Sequence, residues 1–306
     1  MPAGDEMFDV LCYGTISVDN VTRLPYLPSP KRDAPAIAEY DDLGGEAAQV
    51  AVSLATWGLR VLIVGNVIGT DRKAAMIMQE LGRHPRIDTR YLRQHENVIT
   101  PFSRILVTPD GERSRIAYWY DDTPKVELTV QMMRQARLLS VDAYGRDERD
   151  RAAAVARSLG RPVITADAIW PQYPLASLSD VVIISRAWLQ SNFPGAYEYD
   201  HALELQAQGA GVVIITDGVR PVLVVRADGS TFGVEPYEVP NVVDTSGAGN
   251  LFKAGIIYGW LQEGWSLERQ VKFACAAAGL YCQRQRPCSQ SPTLDEIEIL
   301  MREQPR

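Results

Sequence analysis

Residues 244–249, with the sequence DTSGAG, are the part of this chain best suited to bind an anion. They follow the β-branched pair Val242 and Val243, and apolar residues with helical spacing come after them. These apolar residues are Leu251, Ala254, Gly255, Tyr258 and Leu261. A glycine turn that opens a helix directs unpaired backbone N–H groups and the positive end of the helix dipole at one point. The N–H groups of Gly247, Ala248 and Gly249 therefore predict a phosphate site.

Two earlier segments place polar side chains next to glycines. Asp19 follows a short strand pattern that ends at Gly14, and Gly44-Gly45 precedes an apolar helix pattern that contains Gln49. A carboxylate accepts two charge-assisted hydrogen bonds and suits vicinal hydroxyl groups, while glycines let a ligand approach the backbone. A strand-end aspartate is also typical of a cap or turn, and a glycine pair is also typical of a plain helix start.

The DTSGAG loop resembles the nucleotide-binding signature of the PfkB (ribokinase-like) sugar kinases, Asp-Thr-x-Gly-Ala-Gly-Asp. The similarity continues in order along nearly the whole chain. Residues 14–19 are similar to the family's Gly-x-x-x-x-Asp, and residues 44–49 to its Gly-Gly-x-x-x-Asn. The resemblance implies ATP-dependent phosphorylation of a hydroxymethyl group on a small sugar or related carbohydrate. ATP and Mg²⁺ are the implied cofactors, and a monovalent cation is a further candidate.

The resemblance also assigns a role to each matching position. It implies that the sugar is bound by Asp19, Gly44, Gly45 and Gln49. It implies an anion hole at Gly247, Ala248 and Gly249, with Asn250 at the position of the family's catalytic base. The implied nucleotide contacts are Thr216, Gly218, Asp244, Thr245, Phe273 and Ala277, with the base toward the helix at 273–277. No protein residue is predicted to bind the metal.

Four departures from the family pattern bear on activity. Asn250 replaces the aspartate that accepts the proton of the attacking hydroxyl, and Gln49 replaces an asparagine that contacts the sugar. Residues 69–74 keep the start of the family's Gly-x-Asp-x-x-Gly but end in Ala74. The family's Asn-x-x-Glu is absent, because residues 185–188 read Ser-Arg-Ala-Trp.

The chemistry of Asn250 leaves two functions open. An amide oxygen can orient a hydroxyl group by accepting its hydrogen bond, but it does not take up the proton near neutral pH. Losing a general base costs about 10² to 10⁴ in rate, or roughly 3–5 kcal/mol of barrier. Phosphoryl transfer depends mainly on positioning and electrostatics, so turnover is still allowed. The chain is either a kinase slowed at Asn250 or a non-catalytic member that binds nucleotide or sugar.

Other polar and aromatic residues have two interpretations each. The arginines of a predicted hairpin can face an anionic substrate group or solvent: Arg104, Arg113 and Arg115. The aromatic residues at 118–120 can stack on a ligand or pack on neighbouring strands. The histidines are scattered, and the four cysteines lack metal-ligand spacing, which favours reduced thiols in the core.

Composition narrows the partners and the location. The net charge of −7 and the pI of about 5.1 argue against a nucleic acid or an anionic membrane as the main partner. The chain shows neither a signal-peptide pattern nor a run approaching the ~20 apolar residues that span a membrane. We therefore predict a cytoplasmic protein whose partners are a sugar and a nucleotide. The sequence also leaves open a homodimer that forms through a small β lid, for which residues of about 20–43 and 100–120 are the candidates.

The elements that must position these residues alternate between strand and helix. Strand patterns occur at 8–13, 61–64, 102–108, 114–120, 137–141, 163–166, 181–185, 212–216, 222–225 and 232–239. Helix patterns occur at 47–57, 73–81, 149–159, 201–208 and from 250 onward. This alternation predicts a three-layer α/β/α fold with a mostly parallel sheet, as one domain over residues 1–306. The proline-rich segment 25–35 and a hairpin turn at 109–112 fall outside it, which predicts a small β lid from about 20–43 and 100–120.

Two other nucleotide-binding folds lack their signatures. A Rossmann dehydrogenase needs Gly-x-Gly-x-x-Gly directly after the first strand, and residues 14–17 read Gly-Thr-Ile-Ser. A P-loop kinase needs Gly-x-x-x-x-Gly-Lys-Ser/Thr, which does not occur in the 306 residues.

From the sequence alone, Asn250→Asp is expected to raise turnover on the right sugar by roughly 10² or more, because it restores a proton acceptor. Steady-state kinetics with a substrate that binds would measure this effect. An inactive variant would mean that the other departures, at Ala74 and at Ser185 and Trp188, matter as well.

Overall fold

The computed structural model describes residues 7–109, 113–142, 144–145, 147–284 and 290–305. Its strands in chain order are β1 (Phe8–Gly14), β2 (Ser17–Arg23), β3 (Ala38–Gly44), β4 (Val61–Gly65), β5 (Ile87–Asp88), β6 (Phe102–Val107), β7 (Arg113–Tyr118), β8 (Ala136–Val141), β9 (Val163–Ala166), β10 (Val181–Ser185), β11 (Val212–Asp217), β12 (Arg220–Val225) and β13 (Thr231–Val234). Its helices are α1 (Glu46–Thr56), α2 (Arg72–Gly82), α3 (Val130–Met133), α4 (Asp147–Ser158), α5 (Pro174–Ser177), α6 (Arg186–Asn192), α7 (Glu198–Ala207), α8 (Ala248–Trp260), α9 (Leu267–Tyr281) and α10 (Leu294–Glu303).

The main sheet has the strand order β13-β12-β11-β10-β9-β8-β1-β4-β5. The pairs from β11 through to β5 are parallel, and among the described strands of this sheet only the pairs of β12 with β11 and β13 are antiparallel. Strands β10 and β11 are continuous runs of Val and Ile, which suits strands that are buried on both faces. The predicted mostly parallel sheet is confirmed.

Helices cover both faces of this sheet. Alternate residues of β1 enter opposite cores, because successive side chains of a strand point to opposite faces. Val10 and Cys12 lie in the core beneath α1, α8 and α9. Leu11 and Tyr13 lie in the core beneath α4 and α7. The predicted three-layer α/β/α arrangement is therefore confirmed.

A second sheet, with the strand order β3-β2-β6-β7, lies outside the main one. Its strands come from residues 17–23, 38–44, 102–107 and 113–118, the regions that the sequence assigned to a small β lid. We call this sheet the lid sheet. The proline-rich segment links β2 to β3 and contains an isolated bridge between Ser29 and Arg32.

The sequence missed some features of these strands. It placed Asp19 at a strand end, whereas Asp19 lies in the middle of β2, paired with Asp42 on β3 and Ser103 on β6. The predicted strand at 232–239 ends at Val234. The hairpin between β6 and β7 is present, but residues 110–112 of its turn lie outside the described part of the chain. Treatment of residues 1–306 as one domain stays a prediction.

Close contact between α8 and α9 shapes the region behind the glycine loop. A Cβ atom on Gly255 would lie 2.6 Å from the Cα of Ala274, so only glycine fits at this crossing. In the part of the chain that the structure describes, no helix is both long enough and apolar enough to cross a membrane.

Candidate active site

The carboxyl ends of β1 and β8 form a switch point of the main sheet. From β1 the chain continues to α1 on one face, whereas from β8 it continues to α4 on the other face. Ligands of open α/β sheets bind at such points. Here the backbone N–H of Thr15 donates to Oδ2 of Asp142 at 2.5 Å, across the crevice between the two strands.

The glycine loop lies at the N-terminus of α8. Gly247 is the N-cap residue and has φ of 81°, which is in the left-handed region that favours glycine. A Cβ atom there would lie 2.7 Å from Oη of Tyr281 and 3.0 Å from Oε1 of Gln49. A Cβ atom on Gly249 would meet no heavy atom within 4 Å. The N–H of Ala248 donates to the carbonyl of Thr245 at 3.3 Å. The space beside Gly249, at the positive end of α8, suits a phosphate group.

Asp244 and Thr245 of the same loop have different surroundings. Asp244 is buried, and its Oδ1 accepts a hydrogen bond from the N–H of Ser246 at 2.7 Å. Its own N–H donates to the carbonyl of Cys282, which connects the loop to the end of α9. Thr245 is exposed. Asp244 therefore shapes the turn, whereas Thr245 remains open to a ligand.

The sugar-binding candidates lie next to the position of the family base. Gln49 donates through Nε2 to Oδ2 of Asp19 at 3.3 Å and to the carbonyl of Leu43 at 3.1 Å. Its Oε1 accepts a hydrogen bond from Nδ2 of Asn250 at 2.6 Å. Gly44 leaves room for Asp19, because a Cβ atom there would lie 2.5 Å from Oδ1 of Asp19. One hydrogen-bond chain thus joins Asp19, Gln49 and Asn250.

Gly45 is the N-cap residue of α1 and has φ of 86°. A Cβ atom there would lie 2.3 Å from the carbonyl oxygen of Thr15. Glycine is thus required where the lid sheet meets the carboxyl end of β1. The structure brings the four predicted sugar-binding residues together; their role in binding a sugar stays a prediction.

The lid sheet places further polar groups beside Asp19. Oη of Tyr120 lies 2.8 Å from Oγ of Ser17 and 2.8 Å from Oγ of Ser103. The guanidinium of Arg115 lies 5.0 Å from the ring centroid of Tyr120 and 5.6 Å from that of Tyr144. Burial raises the pKa of Asp19 to about 6, and Arg115 opposes this shift. The carboxylate of Asp19 thus titrates close to neutral pH.

A buried ion pair lies behind the glycine loop. Nζ of Lys253 on α8 donates to Oε1 of Glu46 on α1 at 2.6 Å and to the carbonyl of Val141 at 2.8 Å. The two charged side chains are 1% and 7% exposed. Burial raises the pKa of Glu46 to about 7, and the ammonium of Lys253 opposes this shift.

The predicted nucleotide residues Thr216 and Gly218 lie at the carboxyl end of β11. The switch point lies at this same carboxyl end of the sheet, but β11 is four strands away from β1. That separation is about 19 Å at the usual strand spacing. Beside them, Arg186 forms ion pairs with Glu198 at 2.5 Å and Asp217 at 2.7 Å.

The two altered family motifs have structural roles. Oγ of Ser185 caps α6 by accepting from the N–H of Trp188 at 3.4 Å. Asp71 caps α2 by accepting from the N–H of Ala74 at 2.9 Å, and it also accepts from the N–H of Thr100 at 3.0 Å.

Phe273 and Ala277, the predicted nucleotide contacts, lie on α9. Both residues are fully buried on α9. The ring of Phe273 packs in an aromatic cluster with Trp57, Tyr258 and Trp265, at centroid distances of 5.0–5.5 Å. Phe273 thus packs in the core, and the roles of Phe273 and Ala277 as nucleotide contacts stay predictions.

The aromatic residues at 118–120 were predicted either to stack on a ligand or to pack on neighbouring strands. Tyr118 stacks on Phe102 with ring centroids 4.4 Å apart, which favours strand packing for this residue. Trp119 is exposed.

Cys12 and Cys275 are free and buried, and Cys282 is free and half-buried, whereas Cys288 lies outside the described residues.

Sequence reasoning missed the contributions of Glu46, Lys253, Asp142 and Tyr281. A usable signal was present for two of them, because Lys253 and Glu46 are charged residues within otherwise apolar helix patterns. Asp142 follows the apolar strand β8, and Tyr281 is the last residue of α9. Neither position is marked by a sequence pattern, because the proximity of these residues to the site depends on the sheet order and on the packing of α9.

Comparisons with known proteins agree with this geometry. Residues 7–294 match the family model described as pfkB family carbohydrate kinase. A 5-dehydro-2-deoxygluconokinase of Shouchella clausii is 24% identical over 98% of this chain and 97% of its own. An ATP-dependent ribose-1-phosphate kinase of Halopiger xanaduensis is 27% identical over 97% of this chain and 99% of its own.

A solved structure of ribokinase from Arabidopsis thaliana, complexed with ribose and ATP, is similar in fold. It superposes with a TM-score of 0.81 at 20% identity, covering 96% of this chain and 99% of that chain. This likeness confirms the predicted ribokinase-like fold.

We expect Lys253→Met to lower the free energy of unfolding by about 3–5 kcal/mol at pH 8, because it leaves the Glu46 carboxylate buried without a counter-ion. The raised pKa of Glu46 means that this carboxylate becomes neutral as the pH falls, so the loss should be smaller at pH 5. Denaturant unfolding at both pH values measures the difference.

The control is Lys272→Met, which breaks the exposed pair with Glu268 (2.7 Å) and should cost less than about 1 kcal/mol. Equal losses for both lysines would contradict the role of Lys253.

Proposed function

Because this chain belongs to the pfkB family of carbohydrate kinases, we propose that it transfers the γ-phosphoryl group of ATP to a hydroxymethyl group of a small sugar. The observation that carries this proposal is the hydrogen-bond chain Asp19–Gln49–Asn250 at the N-terminus of α8. It puts a candidate sugar-binding carboxylate in contact, through one amide, with the position of the family base. An acceptor hydroxyl and a phosphate can thus meet at the same helix end.

Each part of this site has a distinct task in the proposed reaction. The Asp19 carboxylate binds sugar hydroxyls, and the N–H groups at the start of α8 stabilise the negative charge of the transferred group. Asn250 uses Nδ2 for Gln49, which leaves Oδ1 to accept a hydrogen bond from the acceptor hydroxyl. Because Asn250 takes up no proton, the hydroxyl proton leaves with solvent or with the phosphate, and turnover is slower than with a base.

The residues around the loop fit a nucleotide. We place the phosphates of the nucleotide beside Gly247, Ala248 and Gly249. The remainder of the nucleotide would extend along the carboxyl ends of the strands toward Thr216 and Gly218. Mg²⁺ bound together with the nucleotide would neutralise the charge of the phosphates. A monovalent cation, a homodimer through the lid sheet and a cytoplasmic location remain proposals from the sequence.

A second candidate function is a family member that binds nucleotide or sugar without catalysis. The amide at Asn250 favours it, and so does the segment at 185–188, where Ser185 and Arg186 have structural roles instead of the family's Asn-x-x-Glu. Binding without turnover distinguishes this function from the first.

The deciding experiment measures ADP release with a panel of sugars, beside thermal-shift titrations with ATP·Mg²⁺ and the same sugars. The panel should include acidic sugars, because Arg115 places a guanidinium beside Asp19. Ribose 1-phosphate and 5-dehydro-2-deoxygluconate, taken from the names of the two relatives, are suitable members. ADP release with one sugar supports the kinase, and stabilisation without ADP release supports the non-catalytic function.

We expect Gly249→Val to abolish the thermal stabilisation by ATP·Mg²⁺ while the free protein stays folded. The structure leaves open space at this Cβ position, so the side chain can be accommodated in the protein but would occupy the phosphate position. Gly247→Val should lose the ATP effect too, but it should also destabilise the free protein, because of its left-handed backbone and the contact with Tyr281.

The matched control for Gly249 is Gly82→Val in α2, where a Cβ atom also meets no heavy atom within 4 Å. An unchanged ATP-induced shift in Gly249→Val would contradict the placement of the phosphates.

We expect Asp19→Ala to weaken sugar binding by about 1.5–3 kcal/mol at pH 8, the usual contribution of a hydrogen bond to a charged group. Since the pKa of Asp19 is raised to about 6, wild-type binding should weaken as the pH falls through that value. The difference between the two proteins should therefore shrink at pH 5. Calorimetric titration at both pH values measures it, with Asp33→Ala at an exposed position as the control. Equal affinities would leave Asp19 with a structural role only.

A further inference from the structure

The amide of Gln49 can adopt only one orientation without unfavourable contacts. Its Nε2 faces two acceptors, Oδ2 of Asp19 at 3.3 Å and the carbonyl of Leu43 at 3.1 Å. A flipped amide would turn Oε1 toward both of these oxygens. The carbonyl of Leu43 carries no proton at any pH, and Asp19 carries none when it is ionised, so the flipped amide would face unpaired oxygens. The network itself therefore assigns which side of the amide is oxygen.

This orientation dictates what residue 250 must supply. Oε1 of Gln49 points at residue 250, and Nδ2 of Asn250 donates to it at 2.6 Å. Gln49 is 8% exposed, so water does little to screen a mismatch. The oxygen therefore needs a donor at position 250, which asparagine provides and an ionised aspartate does not.

The same contact orients the other half of the Asn250 side chain. Nδ2 and Oδ1 diverge from one carbon atom, so the bond from Nδ2 to Gln49 turns Oδ1 away from Gln49. A glutamine at position 49 reaches residue 250 because it is one methylene longer than the asparagine that the family pattern has there. Shortening it to asparagine would withdraw the oxygen by about 1.5 Å, the length of one carbon–carbon bond.

We propose that Gln49 and Asn250 form a matched amide pair, in which Gln49 is a positioning residue that holds Asn250 toward the acceptor hydroxyl. It follows that a carboxylate at position 250 works as a base only when residue 49 is shortened. This inference rests on the proposed kinase function for its catalytic part. It changes the expectation from sequence alone, in which Asn250→Asp by itself restores turnover.

The reason is the contact that a carboxylate would make at position 250. In Asn250→Asp, a carboxylate oxygen would replace Nδ2 beside Oε1 of Gln49. The new side chain then either keeps a proton and donates it to Gln49, or rotates away from the acceptor hydroxyl. Neither state is a positioned base. In the double variant Gln49→Asn/Asn250→Asp, the opposing oxygen is withdrawn and the carboxylate can ionise in place.

The kinetic experiment compares wild type, Gln49→Asn, Asn250→Asp and the double variant, with the sugar that the panel identifies. We expect Gln49→Asn to lower kcat by about tenfold with a smaller change in KM. We expect Asn250→Asp to lower kcat as well, because its side chain is neither an ionised base nor held toward the acceptor hydroxyl as the amide is. The double variant should exceed Asn250→Asp by at least about tenfold, within the range of a general base. Its kcat should also fall at acidic pH as the new carboxylate at position 250 becomes protonated, a dependence that Asn250 cannot give to the wild type.

An equally large gain in Asn250→Asp and in the double variant would overturn the proposal, because residue 49 would then not matter. A double variant no faster than Asn250→Asp would overturn it as well.

A second measurement does not depend on activity. Three neighbours act on the carboxylate of Asn250→Asp. The N–H groups at the start of α8 lower its pKa, whereas Oε1 of Gln49, in direct contact with this side chain, and the Asp19 carboxylate beyond it raise the pKa. Because the contact with Gln49 is the direct one, the folded-state pKa should lie above the unfolded value of ~3.9. A group with a raised pKa stabilises the fold at low pH, and this contribution is lost as the pH rises through the folded-state value. The melting-temperature gap between wild type and Asn250→Asp should therefore widen by about 3 °C or more between pH 5 and pH 8.

The gap should widen less when the double variant is compared with its own background, Gln49→Asn. Gln131→Glu, an amide-to-carboxylate change at an exposed position of α3, should show a constant gap to wild type. Absence of turnover in all four proteins together with a widening gap would reject the kinase and retain the amide pair. An equal gap at both pH values would reject the pair, whatever the kinetics show.

Discussion

The buried ammonium of Lys253 is the interaction on which the arrangement of the site depends. It donates to Glu46 at 2.6 Å and to the carbonyl of Val141 at 2.8 Å, and so joins α8 to α1 and to the end of β8. A charge that is 1% exposed must be paired, because its desolvation otherwise destabilises the fold by several kcal/mol. Since α8 carries the glycine loop and α1 carries Gln49, the ion pair fixes the distance between the two halves of the site.

The site in front of this pair is built largely from amides and hydroxyl groups. Gln49 and Asn250 satisfy each other, and Tyr120 connects two serine hydroxyls of the lid sheet. Asp19 is the carboxylate within this network, and its raised pKa follows from the same burial. In the proposed kinase, such a site would supply the positioning and electrostatic parts of phosphoryl transfer, without a strong proton acceptor at position 250.

Several departures from the family pattern become intelligible once their neighbours are known. Ser185 caps α6 and Arg186 joins two carboxylates, so the segment that replaces Asn-x-x-Glu stabilises local structure. Asp71 caps α2 whether or not a glycine follows, because its partner is the backbone N–H of Ala74. Gln49 differs from these, since its extra methylene is what lets it reach Asn250.

The sequence by itself determined the elements and their order. The runs of Val and Ile at Val181–Ser185 and Val212–Asp217 became parallel strands within a residue of prediction, and the glycine loop did open α8. These features are encoded by neighbours within one strand or one helical turn, where side-chain period and backbone freedom decide the outcome. Of the lid strands, β6 and β7 were predicted within two residues, whereas β2 and β3 were foreseen only as an approximate region at 20–43.

Only the tertiary structure decided which side chains meet. Gln49 and Asn250 are 201 positions apart, and their contact exists because α1 and α8 pack together over one face of the sheet. The family resemblance implied a nucleotide near Phe273, and only the structure shows that its ring packs against Trp57 and Trp265. A helix pattern specifies an apolar face but not its partner, because burial favours removal of apolar area from water whatever surface covers it.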